Sequence, residues 1–250
     1  MATVYGEDVD IGRVMQRGFS VVGGNAAGFV LAAAIFVGLP SFLVEYLATP
    51  DPESMLDHGG WPAALMLAWV LLYVFGDSLL QVAVVRSSVL GRNGRRPEFG
   101  RNLATTIGFV LPVLGLSLVY GLCAALGLLL LVVPGIIVMC MWFVAVPVLV
   151  EERAGIMKSL ARSSELTSGS RWHVFGLMVI LSLLSWALGT LGAILPAIAA
   201  PGNDLVVALC NAVAAALSGV FGAAVAASLY VELRQVREGA TSDNLVAIFD

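Results

Sequence analysis

Residues 102–150 read NLATTIGFVLPVLGLSLVYGLCAALGLLLLVVPGIIVMCMWFVAVPVLV and contain no Asp, Glu, Lys or Arg over 49 positions. A helix crosses the hydrocarbon core of a bilayer with roughly 20 apolar residues. The stretch is therefore long enough for two membrane spans and too long for one. Its turn-like dipeptide, Pro134-Gly135, predicts a hairpin of spans at 108–132 and 135–150. Pro112 and Pro147 are expected to kink or end helical segments within these spans.

The composition of the whole chain agrees with a membrane protein. The 250 residues are 59% hydrophobic and 12% charged, against roughly 45–50% and 25% in soluble domains, and the mean hydropathy is +0.95. Apolar runs on both sides of the opening stretch extend the count to six spans. The predicted spans are 25–48, 61–85, 108–132, 135–150, 172–198 and 205–231. The predicted fold is all-α and forms one polytopic membrane domain.

The charges sort by side when the loops are assigned in alternation. All 13 Lys and Arg residues then lie on the side of the two termini, whereas the charged residues on the opposite side are all acidic. These acids are Glu45, Asp51, Glu53, Asp57 and Asp204. Because cytoplasmic loops are enriched in Lys and Arg, this pattern predicts cytoplasmic N and C termini and an even number of spans. The predicted location is a bacterial inner membrane, with a cytoplasmic tail at 232–250.

Three segments on the basic side have amphipathic helical spacing, at 9–22, 97–107 and 152–169. The first places Ile11, Val14, Met15, Phe19 and Val22 on one face and Arg13, Gln16 and Arg17 on the other. The third places Ile156, Met157, Leu160 and Ala161 on one face and Lys158, Arg162 and Glu165 away from it, with Leu166 outside the apolar stripe. Because a span follows each segment, we expect three helices that lie in the plane of the interface.

The intramembrane acid Asp77 lies near the middle of the second predicted span, with Gln81 one turn later on the same face. An acid at a helix centre costs roughly 2.5–3.5 kcal/mol on insertion scales, which the apolar residues of that span offset. The pair is a candidate ion or proton site. The alternative is an interhelical hydrogen bond from Asp77 to Ser78, Asn211 or a backbone carbonyl. In the sixth span, Ala215, Gly219, Ala223 and Ala227 form a stripe of small residues typical of close helix packing.

No catalytic, metal or nucleotide motif stands out in the chain. Neither a nucleophile with a base and an orienting group nor a zinc-binding His-Glu-x-x-His helix is present. His58 and His173 are isolated from other ligands, and the three cysteines lack paired spacing. We therefore expect no enzyme activity, no cofactor and no metal. The absence of a basic tail or stripe excludes a nucleic-acid partner.

Two stretches of the chain have a distinctive order of residues. The first comprises Pro134-Gly135, Trp142, Pro147 and Glu151, then KSLARSSELTSG at 158–169 and Arg171-Trp172. The second comprises YVELRQVREG at 230–239 and LVAIF at 245–249. Both stretches resemble YciC-like bacterial inner-membrane proteins, which are similar to the membrane domain of some glycerophosphodiester phosphodiesterases. The resemblance implies a membrane fold and an inner-membrane location, but no catalytic residues, and no soluble phosphodiesterase barrel is present in this chain.

The functional hypothesis is a non-enzymatic inner-membrane protein in envelope or lipid homeostasis. Its partner would be the bilayer, with anionic headgroups held by Arg95, Arg96, Lys158 and Arg162 on the basic side. The alternative hypothesis is a small transporter or channel that uses Asp77 and Gln81.

Overall fold

The computed structural model describes residues 10–24, 26–47, 75–85 and 99–239, and no strand occurs within these ranges. The first part contains α1 (Ile11–Gly24), α2 (Ala26–Ala33), a π-helical turn (Ala34–Gly38), α3 (Leu39–Leu47) and α4 (Phe75–Val85). The second part contains α5 (Phe99–Leu130), α6 (Val132–Trp142), α7 (Ala145–Glu152), α8 (Ile156–Thr167), α9 (Arg171–Ala199), α10 (Asp204–Arg234) and a terminal π-helical turn (Gln235–Gly239).

Four segments within the described residues are long and apolar enough to cross a membrane. They are Leu111–Leu130, Val132–Glu152, Arg171–Ala199 and Asp204–Arg237. Two shorter apolar helical stretches, Gly28–Leu43 and Phe75–Val85, lie where the first two spans are predicted. The predicted outer loop and the first part of the second predicted span lie outside the described residues. The helices expose many large apolar side chains, including Leu111, Leu129, Trp186 and Ile198. Such a surface and several long apolar helices are compatible with a membrane location.

The hairpin between α5 and α6 turns at Leu131, and not at Pro134-Gly135 as the sequence indicated. Leu131 is extended (φ −160°, ψ 139°), and Pro134 lies in the first turn of α6, where its missing N–H is not needed. The turn is tight because glycines face each other across it. A Cβ at Gly127 would lie 2.8 Å from the Cα of Gly135. The apolar segment that corresponds to the fourth predicted span therefore begins earlier than predicted, at Val132.

The separate interfacial helix predicted at 97–107 is continuous with the following span. Its backbone forms the first part of α5, which runs for 32 residues from Phe99 to Leu130. Gly108, at the junction of the two segments, does not interrupt the helix, which continues while the composition becomes apolar. Pro112 lies inside α5 and does not end it.

The fourth span is interrupted between α6 and α7, at Phe143 and Val144. Proline has no N–H to donate to the carbonyl four residues earlier, and its ring clashes with that carbonyl. For Pro147 that carbonyl belongs to Phe143, the first residue of the break. The effect expected for Pro147 therefore explains the position of the interruption.

Helix α10 is the centre of the described fold. It contributes residues to each of the three buried apolar clusters, through Val225 and Leu229, through Val220 and Ala223, and through Ala227. The small-residue stripe acts as a packing surface, because a Cβ at Gly219 would lie 3.1 Å from the Cδ2 of Leu80 on α4.

The buried faces of α1 and α8 differ from the predicted stripes. In α1, Val14 is fully buried and a Cβ at Gly18 would lie 3.1 Å from the Cγ2 of Val225, whereas Phe19 is half exposed. In α8 the buried residues are Ser159, Leu160, Ser163, Leu166 and Thr167, and Met157 is exposed. Both helices pack against other helices of the protein. Small and hydroxyl-bearing residues are buried in these contacts along with apolar ones, whereas the predicted stripes contain chiefly apolar residues.

Candidate functional site

A polar cleft of about 610 Å³ lies between the end of α7, α8 and the start of α9. Its lining residues are Glu152, Ala154, Lys158, Ala161, Arg162, Ser164, Glu165, Ser168 and Arg171. Two of the predicted headgroup contacts, Lys158 and Arg162, therefore share one cleft. The other two, Arg95 and Arg96, lie outside the described residues.

Two turns define the ends of α8 and so the shape of the cleft. Before the helix, Arg153 is left-handed at φ 50° and Gly155 has φ 80°. After it, Gly169 has φ 86°, a conformation that glycine adopts without steric cost. The hydroxyl of Ser159 donates to the carbonyl of Gly155 at 2.8 Å and closes the first of these turns.

Helix α8 is anchored to the interruption in the fourth span. The Ser163 hydroxyl donates to the carbonyl of Met141 at 2.8 Å, and the Thr167 hydroxyl lies 3.3 Å from the same carbonyl. Met141 lies at the end of α6, where the helical hydrogen-bond ladder is interrupted. The Ser163 hydroxyl therefore satisfies a part-buried backbone acceptor, and the Thr167 hydroxyl donates at 2.9 Å to the carbonyl of Ser163 beside it. These contacts fix α8 against the end of α6.

The centre of the cleft is an ion cluster around Arg162. Its Nε lies 3.7 Å from Glu152 Oε1, and its Nη1 donates to Glu165 Oε2 at 3.1 Å. The hydroxyl of Tyr230 on α10 donates to the same Glu152 oxygen at 3.2 Å. These contacts join α7, α8 and α10 at the basic end, and they leave the cluster with one more carboxylate than cation.

The two remaining cations of the cleft are available for a ligand. Lys158 and Arg171 are both exposed, and neither forms an ion pair within the described part of the chain. Lys158 lies near the start of α8, whereas Arg171 begins α9. Unpaired Lys and Arg side chains beside paired ones are suited to binding an anion such as a phosphate group.

The chain matches no family model, no curated protein and no solved structure. The resemblance to YciC-like proteins accordingly stays a prediction. The stretch 158–169, which carries much of that resemblance, forms most of α8 and the turn that ends it. The function of the chain must be inferred from the chemistry of its own residues.

A second polar centre, which the sequence did not single out, lies where α1 meets α10. Glu232 is 1% exposed and accepts a hydrogen bond from Arg13 Nη1 at 2.9 Å. Arg17 Nη1 donates to its other carboxylate oxygen and also to Gln235. Because α10 ends at Arg234, the tail predicted at 232–250 begins inside this helix. We name the Arg13, Arg17 and Glu232 contact the α1 clasp; it docks α1 on α10.

The candidate intramembrane residues Asp77 and Gln81 are close together on α4. Gln81 Nε2 donates to Asp77 Oδ2 at 2.6 Å, and a Cβ at Gly219 of α10 would lie 3.8 Å from the other Asp77 carboxylate oxygen. Asn211, one expected partner of Asp77, instead donates to Glu45. Ser78, a second expected partner, lies 3.4 Å from Ser117 through the two hydroxyl oxygens.

An apolar groove of about 390 Å³ follows the contact between α10 and the first span. It is lined by residues such as Ala34, Gly38 and Ala216, and neither Asp77 nor Gln81 is among them. Within the described ranges, no group of three His, Cys, Asp or Glu side chains is placed to hold a metal ion. The cysteines Cys123, Cys140 and Cys210 are free thiols.

Proposed function

We propose that the chain is a non-enzymatic, six-span inner-membrane protein that binds anionic lipid headgroups in the cleft between α7, α8 and α9. Its role would lie in envelope or lipid homeostasis. The observation that carries the proposal is a pair of exposed cations, Lys158 and Arg171, that have no ion pair among the described residues and line a polar cleft at the ends of apolar helices. Basic pockets between membrane helices on the cytoplasmic side are suited to anionic headgroups.

The six-span topology with cytoplasmic termini rests on the charge distribution. Contacts between Arg13 and Glu232 and between Arg162 and Glu152 bring basic residues from distant parts of the chain to one end of the helices. This arrangement fits the positive-inside rule. Residues 25–48 and 61–85 would supply the first two spans.

A binding role is favoured over catalysis by the pairing of the acidic side chains. Glu152 and Glu165 both contact Arg162, and Glu152 also accepts from Tyr230. A general base needs a carboxylate free to take a proton from its substrate. The carboxylates of this cleft are instead held in ion pairs that orient the cationic side chains.

The proposal is tested by measuring lipid binding to the purified protein with native mass spectrometry in detergent. Phosphatidylglycerol should bind in preference to phosphatidylcholine. A cation near a membrane surface contributes about 1 kcal/mol to attraction of anionic lipid, so Lys158→Gln and Arg171→Gln should each weaken phosphatidylglycerol binding about fivefold. Their combination should weaken it roughly 30-fold.

The matched control is Arg234→Gln, which removes one exposed positive charge at the end of α10, outside the cleft lining. Its phosphatidylglycerol binding should stay within about twofold of the wild-type protein. Equal losses in the control and the cleft variants would show that net charge, and not the cleft, decides binding.

A second candidate function, a small transporter or channel, is favoured by the acidic pair on α4. Asp77 lies against α10 in an apolar helix and has Gln81 as its hydrogen-bond donor, and intramembrane acids often mark ion or proton pathways. We expect Asp77→Asn to leave expression intact and to abolish proton or cation flux in proteoliposomes. Asp204→Asn, at the start of α10, is the control. Unchanged flux in Asp77→Asn would contradict a transport role.

A further inference from the structure

The charges of the cleft follow a definite order along α8. Lys158 is at one end, and Arg171 follows the other end of the helix. Arg162 and Glu165 lie between them in the chain, and with Glu152 they form a cluster in which two carboxylates face one guanidinium. The cleft therefore offers positive charge at both ends and excess negative charge at its centre.

The length of α8 separates the two unpaired cations. From Lys158 to Ser168, the lining residue at the far end of the helix, the chain advances ten positions, or roughly 15 Å along a helix axis. Long lysine and arginine side chains can reach inward from both ends. One phosphate group between them would also have to approach the carboxylates of the central cluster, which repel it.

Each unpaired cation is next to an exposed apolar side chain. Met157, beside Lys158, is 70% exposed, and Trp172, beside Arg171, is 83% exposed. Trp172 also makes an edge-to-face contact with Phe175. Exposed apolar side chains next to cations are typical of a membrane interface, where aromatic rings lie at headgroup level. The occupant is therefore expected to have acyl chains as well as phosphate.

We propose that the cleft binds a phospholipid headgroup with two phosphodiesters joined by a short uncharged bridge, as in a diphosphatidylglycerol. One phosphate pairs with Lys158 and the other with Arg171. The bridge passes the central cluster, where a hydroxyl group donates to Glu165, the more exposed of the two carboxylates. This inference rests on the proposed function and specifies its ligand.

Two linked phosphates bind more tightly than two separate ones when both sites can be reached together. Once the first phosphate is bound, the second is held at a high effective concentration, and avidity can exceed the affinity of either site alone by 10² or more. A lipid with one phosphate pairs closely with one cation and is attracted by the other only at longer range, so it lacks this gain. The preference for a two-phosphate lipid should therefore depend on both Lys158 and Arg171.

The test uses cardiolipin, which is diphosphatidylglycerol, as the lipid with two phosphates and phosphatidylglycerol as the lipid with one. Their binding to the full chain is compared at equal phosphate content by native mass spectrometry in mixed micelles. We expect the affinity of the wild-type protein for cardiolipin, counted per phosphate, to be at least tenfold its affinity for phosphatidylglycerol. Lys158→Gln and Arg171→Gln should each reduce this affinity ratio to about one, because either change leaves a single phosphate site. Lys158→Arg, which keeps the charge, and Arg234→Gln, outside the cleft, should keep the wild-type ratio.

The possible outcomes separate the two proposals. A wild-type ratio near one, or a tenfold ratio that persists in both glutamine variants, overturns the two-phosphate inference. If phosphatidylglycerol still binds better than phosphatidylcholine, the proposed function stands. If neither anionic lipid binds better than phosphatidylcholine, both proposals fail. Deacylated cardiolipin headgroup should compete much more weakly than the intact lipid, and equal competition would contradict the assignment of a lipid as ligand.

Discussion

Removing both arginines of the α1 clasp should loosen α1 more than the sum of the two single changes. Glu232 has a side chain that is 2% exposed, whereas those of Arg13 and Arg17 are 43% and 38% exposed. With one arginine left, the carboxylate keeps a charged partner, and we expect Arg13→Ala or Arg17→Ala to cost about 1 kcal/mol. Without either, a buried charge has lost its partners, which typically costs roughly 3–5 kcal/mol.

The lower end of that range, about 3 kcal/mol, applies to the double variant. The two guanidinium groups are partly exposed, so water can reach the carboxylate once they are removed and reduces the penalty. Because every 1.4 kcal/mol corresponds to a factor of ten, local opening of α1 should increase roughly a hundredfold in the double variant and about fivefold in each single variant. The excess over additivity measures the coupling through Glu232.

Hydrogen exchange of the α1 amides, followed by mass spectrometry in micelles, measures this opening. Exchange in α5 is the internal control, because its buried residues Val113 and Leu116 belong to a different apolar cluster from Val14 of α1. Adding Glu232→Gln to the double variant removes the stranded charge and should restore most of the protection. No recovery in this triple variant, or a double variant no faster than the singles, would refute the explanation.

Two further predictions concern the hairpin and the anchoring of α8. Gly127→Ala places a Cβ 2.8 Å from the Cα of Gly135 in the facing helix. It should lower the free energy of unfolding, measured with denaturant, by about 1–3 kcal/mol. The control is Gly121→Ala on the same helix, whose Cβ would meet nothing within 4 Å, and an equal loss of stability there would contradict the packing explanation. Ser163→Ala combined with Thr167→Val removes both hydroxyls near the Met141 carbonyl and should cost about 1–3 kcal/mol. Ser163→Ala alone leaves the Thr167 hydroxyl, which donates to the Ser163 carbonyl at 2.9 Å and can turn to Met141, so it should cost less. Full additivity of the Ser163 and Thr167 changes in the same assay would show that they act independently.

The long apolar helices could be predicted closely from the sequence. The spans expected at 172–198 and 205–231 correspond to α9 (Arg171–Ala199) and α10 (Asp204–Arg234). Both runs are bounded by polar or charged residues, and the number of apolar residues that fits a bilayer is set by helix geometry. This signal is local, so it can be read without knowing what each helix contacts.

The turn of the hairpin could not be predicted in the same way. Pro134-Gly135 has the composition of a turn, but Pro134 is equally acceptable in the first turn of a helix. The chain reverses at Leu131 because Gly127 and Gly135 let the backbones approach closely. That approach joins residues from two helices, so only the packed structure distinguishes the two positions.

The sequence alone determined that this protein is built of long apolar helices, and it predicted that the basic residues lie on one side, because span length and charge sorting are properties of composition and order. It also singled out Lys158 and Arg162. Only the tertiary structure decided that Arg162 is neutralised by Glu152 and Glu165, and that Lys158 shares its cleft with Arg171. Whether a charge is paired or available depends on distances of a few ångströms between side chains from different helices, and helix packing sets those distances.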